Sequence, residues 1–417
     1  MHIWILNHYA RTPDTAGSTR HYSLARELTK HGHLISIFSS DFSHRTRKKE
    51  RLEGKQNYKK ENISGVEFIW VRTLPYLKGN DWRRVLNMLS YSFRIVHLGL
   101  KLKENPDVIM ASSPHLFTGL SGYLLAKLKK AQFVFEVRDL WPQVFVEIGG
   151  YSSKSFVVRI LRFIEKFLYQ KARKIIVTMP RASIYITALG VSEDKIVYIP
   201  QVADEELFSN PGSTLPEELF EVISRLNSNG TLLVGYTGAH GIVDSLSKII
   251  EAAVILREKQ VDKVHFLMVG DGPEKEKLIN VTRELGLDNI SFFQPVPKST
   301  MPALLGNLDI VTVTKKKSDL YKYGTSFLKL VDYMLCAKPI VWAVYSEDNP
   351  VAEANCGITV PPEDPQAMVN AIITLCDLSE KEREDMGIRG YEYVMKYHSV
   401  SVLANKLFEA IADVTRE

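Results

Sequence analysis

Two doubly wound α/β domains are the fold class that this sequence predicts, on three observations. The chain has 417 residues, more than a single hydrophobic core organises, so two domains of about 200 residues each are expected. In both halves, apolar runs of strand length alternate with longer runs of helical periodicity, the pattern of a parallel sheet covered by helices. A breaker-rich stretch from Ser209 to Gly230, with Pro211, Gly212 and Pro216, separates one such series from the next. Residues 1–208 and 209–398 are therefore read as two domains, followed by a helical end at 399–417.

A content of 45% hydrophobic and 24% charged residues is ordinary for a globular protein. The charge is uneven: residues 1–208 carry 32 Lys and Arg against 19 Asp and Glu, and the remainder carries 21 against 29. A basic half of this kind faces phosphate groups, a membrane surface or nucleic acid. No nucleic-acid reading motif is present, so nucleic acid is not an expected partner. Cys336, Cys356 and Cys376 have no CxxC spacing and no clustered His, which predicts buried thiols in a reducing cytoplasm and no metal site. The opening MHIWILNHYARTPD has no basic leader region and reads as a first strand, and no apolar run reaches the roughly 18 residues of a spanning helix.

After the strand His2–Leu6, the loop NHYARTPDTAGSTR leads into a helix over 18–31 and a strand over 34–38. There is no GxGxxG, so a tight dinucleotide turn is not expected. Asn7, His8, Arg11 and Arg20 are candidate substrate contacts, an exposed polar loop being the alternative. Residues 41–62, with RTRKKER at 45–51, read as a mobile charged loop. The helix at 82–103 is apolar and aromatic but interrupted by Arg83, Arg84, Arg94, His97, Lys101 and Lys103, and 154–171 is a second basic amphipathic helix. That is the composition of an interfacial helix; a packed helix with snorkelling arginines also fits. The strand at 107–111 ends in SSPH, with His115. FVFEVRDLWP at 133–142 then places Glu136, Arg138, Asp139 and Trp141 at a strand's carboxyl end, where ligands of open α/β sheets bind. Asp139 is read as catalytic, with Glu136 and His115 next and Arg138 as an acceptor contact, although Asp139 also suits a turn cap.

The second half opens with LLVGYTGAHG at 232–241, where Gly238 and Gly241 let a ligand approach the backbone, and GDGPEKEKL follows at 270–278. Lys315, Lys316 and Lys317 precede the stretch KYGTSFLKLVDYMLCAKP, 322–339, which reads as a loop, a helix and a turn between two strands. Gly324, Thr325 and Ser326 supply the breaker and N-cap candidates. The free N–H groups of the helix start make a phosphate site, to which Lys329 adds a cation. Asp332 follows at about 9 Å along the axis from Ser326, the separation of a nucleotide's diphosphate from its ribose. Spacing alone also fits an ordinary crossover with a capped helix and a surface Asp.

This stretch resembles the donor-binding helix of family 4 glycosyltransferases, retaining enzymes of the two-Rossmann-domain GT-B class. Their usual motif is two acidic residues separated by seven, followed by a small residue, Lys and Pro. Asp332 matches the second acid and Ala337-Lys338-Pro339 the tail, while Gly324 replaces the first acid. The variant resembles a subgroup that builds bacterial surface polysaccharides. RDLWP, the Ala16-Gly17 loop and the glycine turn of Gly270 and Gly272 beside the base resemble the family too, whereas QVAD at 201–204 keeps only Asp204 of its Asn-Gly-Val-Asp.

The resemblance implies two domains facing each other across a cleft, with the last helix crossing back to the first. It implies a UDP-sugar donor held by Gly17, Gly238, His240, Gly270, Gly272, Lys317, Thr325, Ser326, Lys329 and Asp332, and an acceptor held by His8, Arg11, Arg20 and Arg138. No metal or other cofactor is implied. The sugar is expected to be an N-acetylated, 6-deoxy hexosamine such as fucosamine, passed to a polyprenyl-diphosphate-linked saccharide. The place of that transfer is expected to be an anionic membrane surface at the cytoplasmic face of the inner membrane. A UDP-sugar 2-epimerase of the same architecture is the alternative.

Overall fold

The computed structural model describes residues 1–44, 46–77, 82–147, 149–209 and 214–415. Among them, two sheets form, each with helices and an apolar core on both faces. The first has the strand order Tyr58–Ile63, Val66–Val71, Leu34–Ser40, His2–Leu6, Val108–Ser112, Gln132–Val137, Lys174–Val177, Ile196–Tyr198, and only Tyr58–Ile63 runs antiparallel to its neighbour. The second has the order Ile290–Phe293, Val264–Asp271, Leu232–Ala239, Ile310–Thr314, Ile340–Ala343, Gly357–Thr359, all parallel. Inner strands are continuous apolar runs because both faces are covered: Ile3, Trp4, Ile5 and Leu6 are all buried.

Each sheet reverses its winding once, between His2–Leu6 and Val108–Ser112 in the first and between Leu232–Ala239 and Ile310–Thr314 in the second. The crevices beyond the carboxyl ends of these strands are where such sheets bind ligands. Main-chain bonds join the domains there: Lys298 N–H donates to the Thr15 carbonyl at 3.3 Å and Ser299 N–H to that of Pro13 at 3.2 Å. The final helix, Val400–Thr415, packs on the first domain's helix Arg20–Lys30.

Three local expectations are corrected. Residues 41–62 are not a mobile loop; Arg45 lies outside the described residues. Asp41 Oδ1 accepts the backbone N–H groups of Glu50, Arg51 and Leu52 at 3.2, 2.6 and 2.8 Å, and Tyr58–Ile63 is an edge strand whose charged side chains discourage further pairing. The inter-domain stretch, of which 210–213 lie outside the described residues, contains the helix Glu217–Ser228, because Leu219 and Ile223 recur on one face and are buried. The donor-type helix begins at Leu328, with Phe327 as N-cap and no side-chain cap. The Thr325 and Ser326 hydroxyls are engaged elsewhere, with Asp348 Oδ2 at 3.2 Å and with Gln201 Nε2 of the first domain at 3.0 Å.

Candidate active site

A cavity of about 340 Å³ lies between the domains, lined by Ala16, Gly17 and Ser18 of the first and by the carboxyl ends of the second sheet. Of the predicted donor residues, Gly17, Gly238, Gly270, Ser326, Lys329 and Asp332 all line it. Gly270 is a glycine for a steric reason: a Cβ on it would stand 1.8 Å from the Gly238 carbonyl oxygen, so any side chain would part the two loops. Gly272 serves the same packing one turn further on, where a Cβ would meet the His240 carbonyl oxygen at 2.4 Å. It supports the wall without forming it.

Asp332 is buried at the cavity's side, and its carboxylate accepts from Lys298 Nζ. Burial raises its pKa and Lys298 offsets only part of that rise. Lys329 Nζ reaches the Tyr236 hydroxyl at 2.5 Å and Asp244 Oδ1 at 3.3 Å. Lys315 Nζ meets the same Asp244 oxygen at 2.7 Å. Lys298, Lys315 and Lys329 thus enter the cavity from three segments. Lysines that carry their own counter-ions, set beside backbone amides and a buried carboxylate, form a receptor for an anionic group flanked by hydroxyls.

Three further predicted donor contacts are not on the cavity wall. Lys317 is exposed outside it, where the chain has left the strand: its N–H donates to Glu363 Oε2 at 3.1 Å and its ammonium lies 5.3 Å from the Tyr345 ring, while Lys315 is the one turned inward. The His240 ring is wholly buried near Tyr236 and Phe292, and burial lowers its pKa to about 4. Thr325 lines the neighbouring crevice behind the helix, facing Asp348.

On the first domain's side, Asp139 is open to solvent yet enclosed by both domains, and its carboxylate carries no hydrogen bond among the described residues. Enclosure raises its pKa, against the charges of Arg138 beside it and of Lys315 across the cleft. Ser113 Oγ accepts the Arg138 and Asp139 N–H groups at 2.8 and 3.4 Å and so fixes the end of this strand. Glu136 and Arg20, predicted as catalytic and acceptor-binding, are instead a buried ion pair at 3.1 Å, each side chain 1% exposed. His21 Nε2 at 2.6 Å and Ser112 Oγ at 2.6 Å complete the carboxylate's shell, and Arg20 also donates to the Ile199 and Pro200 carbonyls. Burial opposes the Glu136 charge, but His21 and Arg20 outweigh it and hold its pKa well below the usual range. The pair ties a helix start to two strand ends, and its burial keeps it from any substrate.

His8 and His115 are also interior groups, with His8 Nδ1 2.8 Å from His115 Nε2. His115 caps the helix Leu116–Lys129, and burial lowers its pKa to about 3, so it is neutral and out of a substrate's reach. Arg11 is buried against Glu50 at 3.2 Å, its stem lying under Gly17, where it supports the loop. Of the predicted residues on this side, Asp139 is exposed and Arg138 is half-buried beside it.

Residues 15–201 match the family model described as Glycosyl transferase 4-like domain, and residues 223–393 match Glycosyl transferases group 1. With two facing α/β domains and an inter-domain cavity built for an anion, this defines a GT-B glycosyltransferase that works on nucleotide sugars. The chain belongs to the family 4 glycosyltransferases. It is 24% identical over 321 residues to the glycosyl transferase WcaI of Escherichia coli (strain K12), whose name assigns it to colanic acid biosynthesis, covering 76% of this chain and 77% of that one. It is 21% identical over 309 residues to WbjE of Pseudomonas aeruginosa, named as a glycosyltransferase, covering 72% and 74%. In fold it is similar to sucrose-phosphate synthase from Thermosynechococcus elongatus, with TM-score 0.75, 17% identity and coverage of 100% and 99%. Anabaena HepE, solved in complex with UDP, gives TM-score 0.66 and 16% identity over 99% and 100% of the two chains.

Proposed function

We propose that this enzyme transfers a sugar, with retention, from a UDP-sugar to a lipid-linked surface-polysaccharide precursor. The observation that carries the reading is the convergence of Lys298, Lys315, Lys329 and Asp332 on one inter-domain cavity walled by closely packed glycine loops. In this reading the diphosphate lies at the lysines and Asp332 accepts the ribose hydroxyls. The leaving group gains charge as the bond to the sugar breaks, and the lysines stand ready to meet it, so no metal ion is assigned a part. Asp139 and Arg138 serve the acceptor hydroxyl from the opposite wall. An N-acetylated 6-deoxy hexosamine is the donor sugar to try first.

The acceptor's lipid is the reason for a further assignment, a peripheral position on an anionic membrane at the cytoplasmic face of the inner membrane. Leu116–Lys129 packs between Arg83–Lys101 and Phe156–Lys171, and no described helix is long and apolar enough to span a membrane. The outer faces of the three helices expose Phe93, Phe156 and Phe163 at 75, 77 and 74%. They carry ten Lys and Arg but one carboxylate, Glu165, which is buried. Apolar side chains among cations suit an anionic bilayer. A second copy would bring like charges together.

A thermal-shift screen of UDP, GDP, ADP and dTDP sugars tests the donor, since a ligand at a hundred times its Kd stabilises by about 2.7 kcal/mol. A UDP-sugar alone should raise the melting temperature, and transfer to a polyprenyl-diphosphate saccharide should follow with the anomeric configuration kept. No shift with any nucleotide sugar sinks the donor assignment, and epimerised sugar formed without acceptor would favour the epimerase. Arg159→Glu with Lys166→Glu should reduce sedimentation with phosphatidylglycerol vesicles about tenfold, roughly 1.4 kcal/mol, while UDP binding is kept. Unchanged sedimentation places the membrane face elsewhere.

A further inference from the structure

Every lysine in the cavity is met by a carboxylate, but not one for one. Lys298 has Asp332, whereas Lys315 and Lys329, from different segments, share Asp244 Oδ1 at 2.7 and 3.3 Å. Asp244 ends the short turn Ile242–Asp244 after the glycine loop, and its side chain is 4% exposed. Its carbonyl accepts from Thr314 Oγ1, next to Lys315, and Tyr236, bonded to Lys329, donates its hydroxyl proton to the Ala239 carbonyl at 2.7 Å. The carboxylate is thus fixed by the same backbone that carries the lysines. Two ammonium groups converging in a water-poor wall repel each other, and burial favours the neutral form of whichever lacks a counter-ion.

We propose that Asp244 is a positioning residue that holds Lys315 and Lys329 together at the place of the donor's diphosphate. The proposal rests on the donor reading above. An ammonium has three N–H donors, so each lysine keeps donors for phosphate oxygens after bonding Asp244. Asp244 acts through them and touches no substrate atom. Burial opposes its charge, but Lys329 and Lys315 outweigh it and hold its pKa below the ordinary value. The other titratable groups facing the cluster are Tyr236, His240, Tyr321 and Tyr333 from its own domain and Asp139 from the other. None of them bridges both lysines.

The test is UDP binding by calorimetry at pH 7, 8 and 9, above the phosphate pKa of about 6, for the parent, Asp244→Asn and Asp244→Glu. Asp244→Asn should lose about tenfold more affinity than the parent between pH 7 and 9, as a lysine without its counter-ion gives up its proton. Asp244→Glu should follow the parent. An Asp244→Asn profile parallel to the parent's overturns the proposal and leaves the donor reading standing, whereas a parent that does not bind UDP overturns the donor reading itself. If Asp244→Asn does not fold, adding Lys315→Met, which removes one of the two opposed ammonium groups, should restore a folded protein. A double variant that stays unfolded counts against the proposal.

Discussion

Gly324 lies against Pro180 of the other domain: a Cβ on the glycine would stand 2.5 Å from the proline Cδ and 2.6 Å from Cγ. Its φ is +94°, a region that side chains rarely adopt. This is the position where the family motif has its first acid. The domains meet over that glycine, with Arg181 N–H donating to the Tyr323 carbonyl at 3.1 Å and Arg181 paired with Glu347 at 2.9 Å. Restoring an acid here would part the domains. Even Gly324→Ala should cost about 1–3 kcal/mol through backbone strain and the clash together, seen as a lower melting temperature with reduced turnover. A variant as stable and active as the parent would mean that the proline moves aside freely.

The lysine run gives a sharper contrast. Lys315 faces the cavity and Lys317 does not, so Lys315→Ala should weaken UDP binding by roughly 1.5–3 kcal/mol, the range for a charged hydrogen bond. Lys317→Ala should leave it within error. Equal effects of the two would show that the loop rearranges around the donor.

What the sequence made legible was whatever is local. Strand runs, the alternation of elements and the family motif around Asp332 are all written within a few residues, and both doubly wound domains could be read from them. Much of the cavity wall was legible for the same reason, since glycines and a helix start announce a crevice. Pairings across the chain were not. Glu136 looks like a free acid at a strand end until Arg20, distant in sequence, is found against it. Lys298 and Asp244 had no motif at all. Only the rule that loops leaving carboxyl ends near a winding reversal carry ligand groups could have raised them.

Asp139, unlike Glu136, lies beyond the end of its strand and is exposed, within the electrostatic reach of Lys315. Asp139→Asn should lower kcat by about 100-fold or more, the usual worth of a positioned acid or base, with UDP affinity unchanged. A variant that loses UDP binding instead would place Asp139 on the donor. Near-normal turnover would leave Arg138 as the remaining acceptor-side group to test.

The last expectation concerns pH and Glu165, which is buried on the inner face of the basic helix Phe156–Lys171. Its two oxygens accept the Tyr169 and Tyr185 hydroxyls at 3.0 and 3.1 Å, and the Tyr185 ring meets that of Tyr323 in the second domain, with centroids 5.5 Å apart. Burial raises the pKa from an ordinary 4.5 to about 8, the tyrosines pulling it only partly back. The folded state therefore holds a proton that the unfolded chain releases near the lower value. The resulting stability is fully present below pH 4.5 and is lost as pH rises through about 8, at up to about 1.4 kcal/mol per pH unit in between. Glu165→Gln keeps the shape and cannot ionise. Its melting temperature should fall less than the parent's from pH 6 to pH 9, and parallel profiles would show that the buried carboxyl does not set this dependence.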